Sequence, residues 1–311
     1  MSVTPEVAST STTGDLKATG EPGLASSPRA TLLSRQQWRS VLLLVALLLL
    51  VYHRVFAKLI FDWYDLPDYS HGFLVPLFAA FLLWDRRREL LQTPVKQTWR
   101  GLPLVVFGLA VLILGVYGAD LFLSRISFIL VMAGVIWALC GSAVLRVVRF
   151  PLLVLLLAIP FPAIIFNQIT FPLQLLASRL ASDVLPLLGV PTLHEGNVIE
   201  LPVMKLEVAE ACSGIRSLMS LFTLAIFYGY FIERTTARRV ALALASVPIA
   251  VLANAARIVG TGLCVQYWDP DKALGFFHEF SGWVMFLISL SCLYVVHVLM
   301  QLVLSKRSSV A

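Results

Sequence analysis

Long apolar runs separated by short polar punctuation dominate the chain from about residue 39 onward. "VLLLVALLLLVY" (41–52), "LPLVVFGLAVLILGVYGA" (102–119), "ISFILVMAGVIWALCG" (126–141) and "WVMFLISLSCLYVVHVLMQLVL" (283–304) approach or reach the roughly 20 residues that cross a hydrocarbon core. Counted along the chain, the apolar runs give eight candidate spans, near 39–59, 70–84, 102–119, 124–141, 147–166, 214–231, 240–262 and 282–304. The second is short, and the first is interrupted by Arg54 and Lys58. The pattern predicts an all-α, polytopic transmembrane helical bundle of about eight spans.

One connection is long, and it changes character midway. "FPLQLLASRLASDVLPLLGV" (171–190) has apolar residues at helical spacing with Arg179 and Asp183 four apart, which predicts an amphipathic helix lying in the membrane interface. "TLHEGNVIELPVMKLEVAEA" (192–211) then alternates polar and apolar residues around Gly196-Asn197 and Pro202, which predicts one or two short hairpins. Together they form a small cap between spans five and six that ends at Cys212. The first 30 residues are rich in Ser, Thr, Gly, Pro and Ala and read as disordered. The expected organisation is a disordered tail over 1–37, a membrane domain over 38–305 and a short tail over 306–311, with no cleaved signal peptide and no internal repeat.

Composition agrees with the periodicity. The chain is 59% hydrophobic and 14% charged, against roughly 25% charged in a soluble domain, and its mean hydropathy is +0.85. The net charge of +6 is no nucleic-acid footprint, because the basic residues lie in short loops. Sixteen of the 24 Lys and Arg residues fall before residue 40 or within 85–101, 142–149, 232–240 and 305–311. These are the two ends and every second loop, so the positive-inside rule predicts cytoplasmic N- and C-termini. The loops 60–69, 120–123, 167–213 and 263–281 then face outward. In a bacterium this describes a multi-pass protein of the plasma (inner) membrane.

Candidate chemistry gathers on the outward side. In "VAEACSGIRSL" (208–218), Cys212 and Ser213 precede the span that opens at Gly214. A helix N-terminus stabilises a thiolate, and Arg216 four residues on adds a cation on the same face, whereas Glu207 and Glu210 act the other way. A buried structural thiol is the plainer reading of such a cysteine, as for Cys140 and Cys292 inside apolar runs. Cys264 also lies outward, so a Cys212–Cys264 disulfide is a structural alternative. In "ANAARIVGTG", Asn254 and Arg257 are three apart and share a helical face. A guanidinium inside an apolar span marks a functional site by default, with snorkelling to the headgroups as its bland counterpart. His278, in "GFFHEFSGW", stands just before the last span, again outward; a lone interfacial histidine is commonly structural. The combination changes the balance, because consecutive helices joined by short loops pack side by side. A thiolate nucleophile, a proton-transferring imidazole and an oxyanion-stabilising cation would then share one site.

With "EACSGIRSL" (210–218), "NAARI" (254–258) and "HEFSGW" (278–283) in that order, and "YSHGFLVP" (69–76) at the second span, the chain resembles the exosortase/archaeosortase family of membrane transpeptidase-like cysteine proteases. The resemblance implies Cys212 as nucleophile, Arg257 as the essential arginine and His278 as the third member, with no cofactor or metal. It also implies exported protein substrates that carry a C-terminal sorting tail: a short motif (Pro-Glu-Pro in bacterial systems), a transmembrane helix and a basic cluster. The enzyme would cut at the motif and pass the new C-terminus to an unknown acceptor, in a system linked to exopolysaccharide export. Membrane lipids are further partners; nucleic acid is not.

The physics fits that implication. A substrate anchored by its own helix arrives in two dimensions, with its scissile peptide held at the outer surface. Arg257 can stabilise an oxyanion or clamp a substrate carboxylate, and both roles stay open. His71, Asp62, Asp65 and Asp68 line the same side, where solvated loop charges are the simpler reading. Two other classes compete: a transporter or flippase binding an anion through Asn254 and Arg257, and a glycan polymerase acting on a lipid-linked sugar. A transporter would be expected to show two related halves, which the sequence lacks, and neither alternative needs a cysteine.

Overall fold

The structure, a computed structural model, describes residues 35–207, 214–268 and 276–308. Its helices are α1 (Arg35–Asp65), α2 (Leu74–Asp85), α3 (Arg87–Gln92), α4 (Leu102–Tyr117), α5 (Leu121–Cys140), α6 (Ser142–Val154), α7 (Ala163–Val184), α8 (Gly214–Ile232), α9 (Thr236–Tyr267) and α10 (Phe276–Ser308). A 3₁₀ turn over Pro67–Phe73 joins α1 to α2, and another over Leu155–Ala158 extends α6.

Among the described residues, five helices are long and apolar enough to cross a membrane, or six if one bent pair counts as a single span. The chain is thus a multi-pass membrane protein of the all-α class. The expected spans near 70–84 and 214–231 do form helices. However, α2 has 12 residues, about 18 Å at 1.5 Å per residue, and α8, with 19 residues, stands near the short end of what crosses a hydrocarbon core. The run near 147–166 is not one helix: Ser142–Ala158 and Ala163–Leu188 meet at 81°. Pro160 and Pro162 lie in the break, and neither supplies the N–H that a continuing helix needs.

That break leaves carbonyls without helical partners, and distant side chains take them. Trp63 Nε1 donates to the Ala158 carbonyl at 2.7 Å, and His71 Nε2 lies 3.2 Å from the Leu157 carbonyl. A carbonyl only accepts, so His71 carries its proton on Nε2 in this contact. Tyr69 Oη accepts from the Phe161 N–H at 3.2 Å. A Cβ on Gly72 would overlap the Trp63 indole, so only glycine lets the turn close over that ring. The segment around "YSHG" therefore clamps the bend between α6 and α7. His71 and Asp62 are buried, which corrects their reading as solvated loop charges.

The connection 171–207 follows the sequence pattern with shifted limits. Helix α7 begins at Ala163, and Ala177, Ala181 and, just past its end, Leu185 are buried against Val251, Ala255 and Ile258 of α9, so much of its inner face meets protein. Strands β1 (Leu193–Glu195), β2 (Val198–Glu200) and β3 (Lys205–Glu207) form an antiparallel sheet in the order β1-β2-β3. Glu195 pairs with Val198 across Gly196-Asn197, where Gly196 takes a φ of +63° that a side chain resists. Ile199 and Leu206 seat the sheet on the same core as α7 and α9, and His194 Nε2 meets Ser178 Oγ of α7 at 2.9 Å.

Candidate active site

The site is built on α8, α9 and α10, which pack on one another. Their sequence order alternates direction, so the start of α8, the later part of α9 and the start of α10 come to the end of the bundle that carries the sheet. Helix α9 is 32 residues long, so Arg257 lies about 15 Å before its end at Tyr267. It is 9% exposed. Its guanidinium turns to α10: Nε donates to Ser281 Oγ at 3.3 Å, and the Cβ space of Gly282 lies 3.4–3.7 Å from the guanidinium atoms. Gly282 thus offers the flat group a bare stretch of helix. Position 278 lies three and four residues before Ser281 and Gly282, on the same face of α10 and one turn nearer its start.

Asn254, expected to share the Arg257 face, is also buried, but it lines a narrow crevice with Thr170 and Gln174 of α7 and Leu218 of α8. A three-residue step rotates a side chain about 60° back around the helix, enough here to face different neighbours. Asn254 Oδ1 accepts no hydrogen bond among the described residues. Arg216, in the first turn of α8, is 57% exposed at its side chain and reaches Asp68 in the turn after α1, Nε to Oδ1 3.8 Å. Its charge is shared with that carboxylate. Burial pushes the Asp68 carboxyl above the ordinary range, and the attraction of Arg216 offsets this only in part. Cys212 and Ser213 lie outside the described residues. Cys264 is a free thiol, as are Cys140 and Cys292.

Two features here escaped the sequence reading. Asp62 is buried between Arg125 of α5 and Lys58, whose Nζ lies 2.9 Å from Oδ1. The signal was present, since Arg125 opens an apolar run where an unpaired cation would be costly, but a run of residues does not identify a partner 63 positions away. The other is the clamp made by Trp63, Tyr69 and His71. Among the described residues no three His, Cys, Asp or Glu side chains are gathered as metal ligands.

Chemically, the arrangement sets a buried, planar cation against the helix face that carries position 278, beside the helix whose start follows Cys212. A family model described as transmembrane exosortase matches residues 63–295, more than half of the chain, and includes the stretches around Cys212, Arg257 and His278. No curated protein and no solved structure matches the chain.

Proposed function

Because the chain belongs to the transmembrane exosortase family, we propose that it is a membrane cysteine transpeptidase that cleaves the C-terminal sorting tails of exported proteins, in a system linked to exopolysaccharide and surface-protein export. The observation that carries the reading is the placement of Arg257 against the Ser281–Gly282 face of α10, one turn from position 278. This contact joins two of the three motifs, 24 residues apart, on helices that also pack against α8, whose start follows the third.

In this mechanism His278 takes the Cys212 proton, and the thiolate adds to the scissile carbonyl. Negative charge builds on the carbonyl oxygen, where the Arg257 guanidinium stabilises it. The imidazolium then gives its proton to the leaving amine, the C–N bond breaks, and a thioester on Cys212 remains. An acceptor nucleophile, or water, attacks the thioester, loses a proton to His278 and releases the thiolate. Arg216, tied to Asp68, contributes positive potential near the thiolate, and Asn254 and Ser213 support the site. The same proposal includes eight crossings with α2 and α8 among them, cytoplasmic termini, and the sheet as an extracytoplasmic cap of a protein of the bacterial inner membrane. The concentration of basic residues in the loops opposite the sheet supports this orientation.

The test combines chemistry with topology. Cys212→Ala should leave a co-expressed, tail-bearing substrate at its uncleaved length at matched enzyme abundance, and Cys212→Ser should be nearly inactive. An impermeant thiol reagent added to spheroplasts should label Cys212 and spare Cys140. Wild-type cleavage by Cys212→Ala, or labelling of Cys212 only after permeabilisation, would sink the proposal.

A further inference from the structure

A second site lies at the opposite end of the bundle. A cavity of about 850 Å³ opens there between α6, α8, α9 and the junction of α2 and α3, within the roughly 300–1,000 Å³ that small-molecule sites occupy. Four arginines line it, Arg86, Arg146, Arg149 and Arg239, with Glu89 as the one carboxylate among the lining residues.

Two of these arginines are held in place by neutral groups. Arg86 Nη1 donates to the Val147 carbonyl at 3.1 Å. Arg239 donates from Nε to the Glu233 carbonyl at 2.8 Å and from Nη2 to the Tyr230 carbonyl at 3.1 Å. Both guanidinium groups lie over the Tyr230 ring, at 5.9 and 4.8 Å from its centroid. The nearby Glu233 carboxylate is engaged elsewhere, by Arg238 at 3.5 Å and His297 at 3.2 Å. Arg146 and Arg149 lie on one face of α6, are exposed, and form no ion pair with a described carboxylate.

Away from this basic rim the walls are hydrocarbon. Leu153, Phe222, Ile226 and Leu244 line the cavity from three helices. Phe222 lies ten residues before the end of α8 at Ile232, or about 15 Å toward the middle of the bundle. A cationic mouth over an apolar shaft of that depth matches an amphiphile with an anionic head and hydrocarbon tails.

We propose that this cavity holds one anionic phospholipid from the leaflet on that side, its phosphodiester against Arg146 and Arg149 and an acyl chain along Leu153, Phe222 and Leu244. Charge decides against other occupants. A zwitterionic headgroup would bring an ammonium among four guanidinium groups, a helix with a basic end would be repelled, and a free phosphate would leave the apolar walls unfilled.

The experiment uses full-length protein purified in detergent and phosphatidylglycerol carrying a diazirine on one acyl chain. After irradiation, label should appear on peptides covering 143–153, 222–226 or 240–244. Unlabelled dioleoylphosphatidylglycerol should compete, while dioleoylphosphatidylcholine and glycerol 3-phosphate at equal concentration should not. Arg146→Gln combined with Arg149→Gln should raise the lipid concentration needed for half-maximal labelling by about 30-fold, from the contribution typical of two surface cations to anionic-lipid binding. Leu244→Trp fills the apolar shaft, keeps all four arginines and changes a residue already 61% exposed; it should lower labelling at least tenfold. Equal competition by phosphatidylcholine, displacement by glycerol 3-phosphate, label confined to other peptides, or wild-type labelling of a folded variant of either kind would each overturn the proposal. The competition arms need only wild-type protein, so they decide even if the double variant does not fold.

Discussion

Replacing Arg257 by lysine separates a charge from its geometry at the centre of the candidate site. The arginine is 9% exposed, donates from Nε to Ser281 Oγ at 3.3 Å and has its guanidinium 3.4–3.7 Å from the Cβ space of Gly282. Lysine keeps the cation but has no donor at the Nε position and no planar fork. Losing one oriented donor to a developing oxyanion costs about 10²–10³ in rate. A cation acting only as an interfacial anchor would tolerate lysine with a change of no more than about threefold. Ser281→Ala removes the hydroxyl that accepts from Nε, and the loss of that hydrogen bond, worth about 1 kcal/mol, predicts a drop of about fivefold. Gly282→Ala places a methyl in ordinary contact with the guanidinium and gains about 1 kcal/mol of helix propensity, so that variant should be at least as stable as wild type. The assay is the fraction of co-expressed tail-bearing substrate cleaved in a fixed time, with enzyme abundance matched by immunoblot. Arg257→Lys within threefold of wild type, or a Ser281→Ala defect as deep as that of Arg257→Lys, would refute the reasoning.

Three further outcomes follow from the packing. Gly72→Ala should lower the melting temperature by the equivalent of about 1–3 kcal/mol, because a Cβ there overlaps the Trp63 indole that holds the Ala158 carbonyl; an unchanged melting temperature would contradict the clamp. Arg125→Leu leaves Asp62 buried with only Lys58 as a partner, so a loss of about 3–5 kcal/mol is expected, recovered in large part by adding Asp62→Leu and measured by thermal unfolding of both variants. Burial raises the folded-state pKa of Asp68, with Arg216 opposing, so the folded protein holds that proton more tightly than the unfolded chain. Its contribution therefore destabilises above the folded pKa and is relieved as pH falls toward the ordinary carboxylate value. Asp68→Asn should gain melting temperature relative to wild type at pH 7, with a gap that shrinks in acid; a gap that grows in acid would reverse the sign.

The amount and spacing of apolar residues by themselves determined the class of this protein. Runs of about twenty such residues have no stable fate other than a membrane helix, and the basic loops between them carry the case for orientation. The hairpin at Gly196-Asn197 was equally legible, since a two-residue turn depends on the residues that form it. The motifs around Cys212, Arg257 and His278 also stood out, because a thiol, a cation and an imidazole are conspicuous against hydrocarbon. Tertiary structure alone decided the rest. Pro160 and Pro162 are visible in the sequence, yet an 81° bend persists because Trp63 and His71, 95 and 86 residues away, take the freed carbonyls. Asp62 read as a loop charge until α5 supplied Arg125, and Asn254 and Arg257 read as one face until α7 and α10 drew them apart. In each case the deciding partner is remote in sequence. A local pattern says that a buried polar group needs a partner; only the packing of helices selects which one.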